Sequence, residues 1–263
     1  MAGMACPACD AGGLEEAFAY RAQPDGETVF DLGEQTYRRR YLRCPRCGHY
    51  LSDHELDLAA LYEGEYMDAT YAGDRLRSTY ERIMALPPER SDNAARVHRI
   101  CSRLRPGSVL DVGSGLGVFP ARMKEAGWRA TALDPDARAI AHARDHIGVD
   151  AVQADFMAPG ELSRYDLVTL NKVLEHVEDP VAMLRRAHAA LAEGGTVYIE
   201  LPDGECAAAD GAGREEFFIE HLHVFSMASM CLLAARAGFV VRAAERLREP
   251  SDKYTLYAFL EAA

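Results

Sequence analysis

No stretch of this 263-residue sequence approaches the ~18 consecutive apolar residues that a membrane-spanning helix needs. The first residues, MAGMACPACDAGG, lack a basic region followed by an apolar stretch, so no span and no secretory leader is expected, and the cytoplasm is the expected compartment. Positive charge is also short. The 29 Lys and Arg against 41 Asp and Glu leave a formal net charge of -12, which repels phosphate backbones and argues against a general nucleic-acid binder. Internal repeats and low-complexity segments are missing, which leaves an ordinary globular chain. Hydrophobic residues make up 49% of it, ample for a buried core in one large domain or in a main domain with a small appendage.

Residues 1–55 carry two closely spaced cysteine pairs and few apolar runs, so this segment needs a staple to hold a core. Residues 56–105 read as a helical cover. LDLAALYEG is one short candidate, GDRLRSTYERIMAL a longer one that stops before Pro87 and Pro88, and SDNAARVHRICSRL a third, capped by Ser91 or Asp92. From residue 106 onward the period switches repeatedly between strand and helix. SVLDVG, RATALD, AVQAD, YDLVTLN and TVYIELP read as strands, with helices such as DARAIAHARDHIG and DPVAMLRRAHAALAEGG between them, the latter stopped by Gly194 and Gly195. A helix SMASMCLLAARAGF and two strand candidates, VVRAAERLRE and KYTLYAFLEA, follow. This alternation predicts an α/β fold with a doubly wound parallel sheet over residues 106–263.

The stretch SVLDVGSGLGVF joins the first of these strands to a helix through Gly113, Gly115 and Gly117. In a doubly wound sheet that turn faces the ligand crevice. A dinucleotide fingerprint, G-x-G-x-x-G, would need a third glycine where Val118 stands, so the spacing here is G-x-G-x-G. Asp111, two residues before the loop, would repel a diphosphate but welcome a ligand ammonium, directly or through water. Asp134 closes the second strand and suits both hydroxyls of a ribose; Asp155, ending the third beside Phe156, suits an adenine amino group under an aromatic cover.

On these residues the chain resembles the class I S-adenosylmethionine-dependent methyltransferases over residues 107 to about 245. VLDVGSGLG is similar to their first motif, ALDPD to their ribose-binding acid, QADF to their adenine-contacting segment and NKVLEHVEDP to the stretch after their fourth strand. The resemblance implies a Rossmann-like sheet of seven strands and S-adenosylmethionine as cofactor. It places Asp111, Gly113 and Gly115 around the methionine part, Asp134 on the ribose, Asp155 and Phe156 on adenine and Asn171 on the cofactor floor. Ser114, Gly117 and Pro135 complete the expected cofactor set. Methyl transfer asks for alignment and exclusion of water, and for a base only where the acceptor must lose a proton. His176 in LEHVEDP, and Glu220, His221 and His223 in EFFIEHLHVFS, are the candidates, with His221 the first choice. The second stretch lies in an insertion, residues 203–225, of a length that often carries acceptor contacts.

Cys6-Pro-Ala-Cys9 and Cys44-Pro-Arg-Cys47-Gly-His form two knuckles whose thiolates can share one tetrahedral structural Zn2+, with His49 and His54 as substitute ligands. Cys101, Cys206 and Cys231 stand alone, without partners at motif spacing. The knuckles, LYEGEYMDATY and the later domain together resemble the zinc-containing C-methyltransferases of nucleotide-linked deoxysugars. Their acceptor-side motif Y-H-E-H-L-x-Y-x-S is kept in part from Phe218 to Ser226, with Glu220, His221 and Ser226 matching and Phe218 in place of a tyrosine. The likeness implies a small-molecule acceptor, a nucleotide-linked sugar or natural-product intermediate, with O- and C-methylation both open. Arg38, Arg39, Arg40, Arg43 and Arg46 admit a phosphate-bearing acceptor, although a solvated basic face explains them as well. Two readings compete: a methyltransferase of protein or RNA docked through the zinc module, and a non-enzymatic binding module.

Overall fold

The computed structural model describes residues 4–27, 35–56, 75–160 and 163–263. The helix expected over 56–64 and the stretch LYEGEYMDATY lie almost wholly outside them. Seven strands form the main sheet. Its parallel part runs β6 (Asp150–Gln153), β5 (Arg129–Asp134), β4 (Ser108–Val112), β7 (Tyr165–Asn171) and β8 (Leu191–Pro202). Beyond β8 lies β11 (Tyr254–Ala262), antiparallel to both β8 and β10 (Phe239–Arg248). Strand order reverses between β4 and β7, which opens a crevice at their carboxyl ends.

Alternation along the central strands builds two cores, one on each face. Leu110, Val112, Val168, Leu170, Val197 and Ile199 pack under α5 (Pro180–Ala189) and α7 (Met227–Arg236). Val109, Leu167, Ala130, Ala132 and Tyr198 point the other way, against α2 (Asp92–Cys101) and α3 (Val118–Glu125). The helix starts follow local rules. Ser91 caps α2 by accepting from the Ala94 N–H at 3.2 Å, Asp179 caps α5 with Pro180 at its first position, and Ser226 with Ser229 forms a capping box on α7. The second predicted helical cover segment is α1 (Arg75–Met84). No helix among the described residues is long and apolar enough to cross a membrane.

Two boundaries differ from expectation. Helix α5 ends at Ala189, short of the glycines, because Leu191 is buried and already pairs with Tyr165; Gly194 (φ 71°) turns a bulge before Thr196 pairs with Leu167. Strand β6 stops at Gln153, so Asp155 lies in the turn beyond it, where its Oδ1 accepts from the Met157 N–H at 2.8 Å.

A second, antiparallel sheet holds β1 (Glu15–Tyr20), β2 (Arg39–Arg43), β3 (Tyr50–His54) and β9 (His223–Val224). The β1–β2 hairpin is the excursion between the two cysteine knuckles. The fourth strand comes from the 203–225 insertion, and Phe217 and Ile219 from the same insertion fill a core with Tyr20, Tyr41 and Tyr50.

The main sheet is braced by a buried ionic network. Glu200 of β8 is fully buried and pairs with Arg96 and, at 2.7 Å, with Arg99, while the Tyr198 hydroxyl donates to it at 2.6 Å. Burial alone would raise this carboxyl, but the two guanidiniums win and hold it at about 2. A Glu200→Gln substitution strands Arg96 and should cost about 3–5 kcal/mol in urea unfolding at neutral pH. Because the folded carboxyl lies below its ordinary 4.5, the wild-type advantage is full above that pH and should shrink as pH falls towards 2. A difference unchanged by acid would overturn the assignment.

Candidate active site

The loop after β4 is left-handed at three glycines, with φ of 69° at Gly113, 50° at Gly115 and 72° at Gly117. A Cβ on Gly113 would stand 2.9 Å from Val173 Cγ2, so the close approach also requires glycine there. The Gly113 and Ser114 N–H groups both donate to the Leu133 carbonyl at the end of β5. Next to it, Asp134 accepts from the Gly115 N–H on Oδ2 and from the Asp136 N–H on Oδ1, both at 2.9 Å. Burial raises the Asp134 carboxyl, and these two N–H groups pull it back.

Above this loop lies a cleft of about 610 Å³. Of the expected cofactor residues it brings together Gly113, Gly115, Asp134, Pro135, Asp155 and Phe156. Gly117 instead opens α3 as its N-cap. Asp111 is buried in the middle of the sheet, where it accepts from Thr169 Oγ1 at 2.7 Å and Asn171 Nδ2 at 2.9 Å. Burial pushes its carboxyl up to about 7 against those hydrogen bonds and the charge of Arg96. Alternation turns Asp111 beside Thr169, so it stands behind the residues that line the cleft. Among the described residues Asn171 Oδ1 and Ser114 Oγ are buried without hydrogen-bond partners, so the loop and floor retain free acceptors.

His176 and Glu220 line the same cleft from the opposite side. A smaller cavity of about 190 Å³ shares Lys172, His176 and Glu220 with it and adds Glu175, His221 and Lys253. The His176 Nδ1–H donates to the Glu220 carbonyl at 2.8 Å and the His221 Nδ1–H to the Glu216 carbonyl at 2.9 Å, which fixes both tautomers and leaves each Nε2 as the basic nitrogen. The two rings lie 4.9 Å apart, edge to face. Burial, then the neighbouring His176, holds His221 well below its ordinary range; burial raises Glu220.

His223 does not reach this site. It is buried in β9, with its Nδ1 3.1 Å from His49 Nε2. Two site residues escaped the sequence reading. Glu175 is fully buried with neither carboxylate oxygen hydrogen-bonded among the described residues, and Lys172 follows β7 at φ 59°, a strained conformation for a long side chain. Their sequence signal was a charged pair, three residues apart, in the short stretch NKVLEH.

The insertion is held by the second sheet. Tyr41 Oη donates to the Phe218 and His221 carbonyls at 3.1 and 2.5 Å, Glu27 accepts from the Ile219 N–H at 2.7 Å, and the Leu222 N–H donates to the Glu175 carbonyl at 2.7 Å. Beneath that sheet Cys6, Cys9, Cys44 and Cys47 place their sulfurs within 4.8 Å of one another, with Cys6 to Cys47 at 3.5 Å and Cys9 to Cys44 at 3.6 Å.

A methyltransferase-domain family matches residues 81–244. Ubiquinone biosynthesis O-methyltransferase of Xanthomonas axonopodis pv. citri is 33% identical over 116 residues, 41% of this chain and 48% of that protein. The enzyme of that name from Pseudomonas paraeruginosa is 33% identical over 129 residues, 46% of this chain and 56% of that protein. The chain thus spans about half the length of the curated relatives it matches. Among solved structures, 1,6-didemethyltoxoflavin-N1-methyltransferase of Burkholderia thailandensis, with bound S-adenosylhomocysteine, superposes with a TM-score of 0.58 at 23% identity, over 92% of this chain and all of that one. Magnesium protoporphyrin IX methyltransferase of Synechocystis PCC 6803 does so at 0.58 and 14% identity, over 75% of this chain and 98% of that one. Sheet order, glycine loop and a family match over most of the chain agree: the chain belongs to the methyltransferase-domain family.

Proposed function

We propose that the protein transfers a methyl group from S-adenosylmethionine to a small polar acceptor of sugar or natural-product type. The observation that carries this is Asp134, a buried carboxylate on the cleft wall locked to the glycine loop through the Gly115 N–H. Each of its oxygens has a lone pair left for a ribose hydroxyl. Asp155 then takes the adenine amino group and Phe156 covers the base, while the unsatisfied Asn171 Oδ1 and Ser114 Oγ suit the polar end of the methionine part. Asp111 acts from beneath by orienting Asn171. When bound, the cofactor supplies a methyl group already activated by its sulfonium. The chain's part is to align the acceptor and exclude water. His176 borders both cavities, and with His221 behind it gives an imidazole pair for proton removal; Glu220 completes the wall between them.

Three segments divide this work: 1–55 as a staple, 56–105 as a cover and 106–263 as the transfer domain. The four thiols suit structural zinc, since Zn–S bonds of about 2.3 Å in a tetrahedron put sulfurs about 3.8 Å apart, close to the 3.5 and 3.6 Å seen. A reducing compartment such as the cytoplasm keeps these thiols available. A phosphate-bearing acceptor has a place to reach: Arg21, Arg38 and Arg39 line a hollow of about 750 Å³ on the second sheet.

Three outcomes are expected. Asp134→Ala should weaken S-adenosylhomocysteine binding by calorimetry tenfold to a hundredfold or more, since each lost charged hydrogen bond contributes about 1.5–3 kcal/mol; unchanged affinity would sink the pocket assignment. Purified protein should contain one zinc per chain. Stripping it should raise amide exchange in β1 to β3 while sparing the main sheet, and a metal-free protein with unaltered exchange and activity would refute the staple. Given methyl-labelled cofactor and a host-cell extract, the protein should place label in the small-molecule fraction; label in protein or RNA would replace this reading with a macromolecular one.

A further inference from the structure

The smaller cavity contains a buried acid that the chain leaves unsatisfied. Glu175 is 0% exposed, lines that cavity, and neither of its oxygens has a hydrogen-bond partner among the described residues. Such a group costs about 1–3 kcal/mol or more when nothing meets it. One ligating atom each of Glu175, His176 and His221 lies within 4.8 Å of the others. Both imidazoles spend their Nδ1–H on backbone carbonyls, so what they offer a ligand is the Nε2 lone pair. With Glu175 ionised beside the Lys172 ammonium, whose charge opposes the effect of burial, the cluster presents three acceptors and no donor.

The neighbouring charges do not fill it. Lys172 Nζ donates to Thr255 Oγ1 at 2.7 Å rather than to Glu175. Lys253 pairs with Glu215 at 3.5 Å, and Arg214 with Glu216 at 3.0 Å. Three converging acceptors call for three donors. A single hydroxyl brings one, and a carbon acid brings none; a primary ammonium brings three.

We propose that the acceptor presents a primary amine to Glu175, His176 and His221, so that methyl transfer ends on nitrogen, as on an amino sugar or a related polar amine. This rests on the methyl-transfer reading above. The bound ammonium gives one proton to an Nε2 of the imidazole pair; the freed nitrogen lone pair forms the new N–C bond as the S–C bond breaks, with its electron pair left on sulfur. The chain's own ammonium in this place, Lys172, is lowered by burial, and an acceptor ammonium meets the same desolvation. An aliphatic hydroxyl holds its proton far more tightly than an ammonium does, and a buried imidazole is a weak base for it.

The test uses S-adenosylmethionine whose methyl carbon is visible to NMR and the small-molecule fraction of a host-cell extract, half of it treated with sulfosuccinimidyl acetate to acylate primary amines. Transfer should fall tenfold or more in the treated half, and the product from the untreated half should show an N-methyl resonance. Equal transfer in both halves, or an O-methyl or C-methyl resonance, overturns the amine assignment and leaves methyl transfer standing. No transfer in the untreated half removes both readings. Glu175→Gln should raise the apparent KM for the extract acceptor tenfold or more with S-adenosylhomocysteine affinity unchanged; transfer at the wild-type KM would also overturn the proposal. The acylation comparison decides the question should that variant fail to fold.

Discussion

The seat of residues 218–222 is the constraint on which the site depends. This segment has no regular structure of its own, yet it carries Glu220 and His221 to the cavities. Its backbone groups are satisfied from two directions: Tyr41 of β2 and Glu27 of the β1–β2 connection take the Phe218, Ile219 and His221 positions, and the Glu175 carbonyl takes Leu222. Glu27 is in turn fixed by Arg39 at 2.7 Å and by the Tyr37 hydroxyl at 2.5 Å, all buried. A buried backbone group without a partner is costly, so the loop has little freedom to settle elsewhere while both sheets are in place. The cysteine knuckles brace β2 and β3, and through Tyr41 they act on the position of His221.

Three buried carboxylates show how differently one charge type is used. Glu200 faces two guanidiniums and stays ionised, a brace between α2 and the sheet. Asp111 has hydrogen bonds and the charge of Arg96 but no ion pair among the described residues, and burial pushes it to about 7; it holds Asn171. Glu175 has no hydrogen-bond partner among the described residues, and burial raises it against the charges of His176 and Lys172. The first two are explained by what the chain itself provides. The third is left without a hydrogen bond among the described residues, and it is the one beside the imidazoles.

Local chemistry was legible in the sequence and long-range pairing was not. The Ser91 cap, the strand and glycine loop at 108–117 and the limits of β5 and β7 follow from short-range pattern, and the structure has them where the residues placed them. Helix α5 ended early because pairing of Leu191 with Tyr165 outweighed the stop signal at Gly194. The direction of Asp111 depended on which face of β4 meets Thr169, a fact of sheet register. His223 looked equivalent to His221, two residues away, but β9 pairing with β3 turns it towards His49. Glu175 and Lys172 gave almost no signal, since their meaning lies in missing partners and in a backbone angle.

The placement of these parts separates two tasks. The glycine loop, Asp134, Asp155 and Phe156 lie on β4, β5 and the turns that follow them, within the region shared with the family, and their geometry is set by main-chain hydrogen bonds between neighbouring parallel strands. The smaller cavity is bounded by the insertion, whose position is set by a sheet lying ahead of that region. Changes in the hairpin or knuckles therefore act on the smaller cavity through Tyr41 and Glu27 without touching the glycine loop. On the proposed reading, a fold common to many methyltransferases takes a different acceptor by altering what holds one short loop, because the glycine-loop cleft and the smaller cavity rest on separate sets of hydrogen bonds.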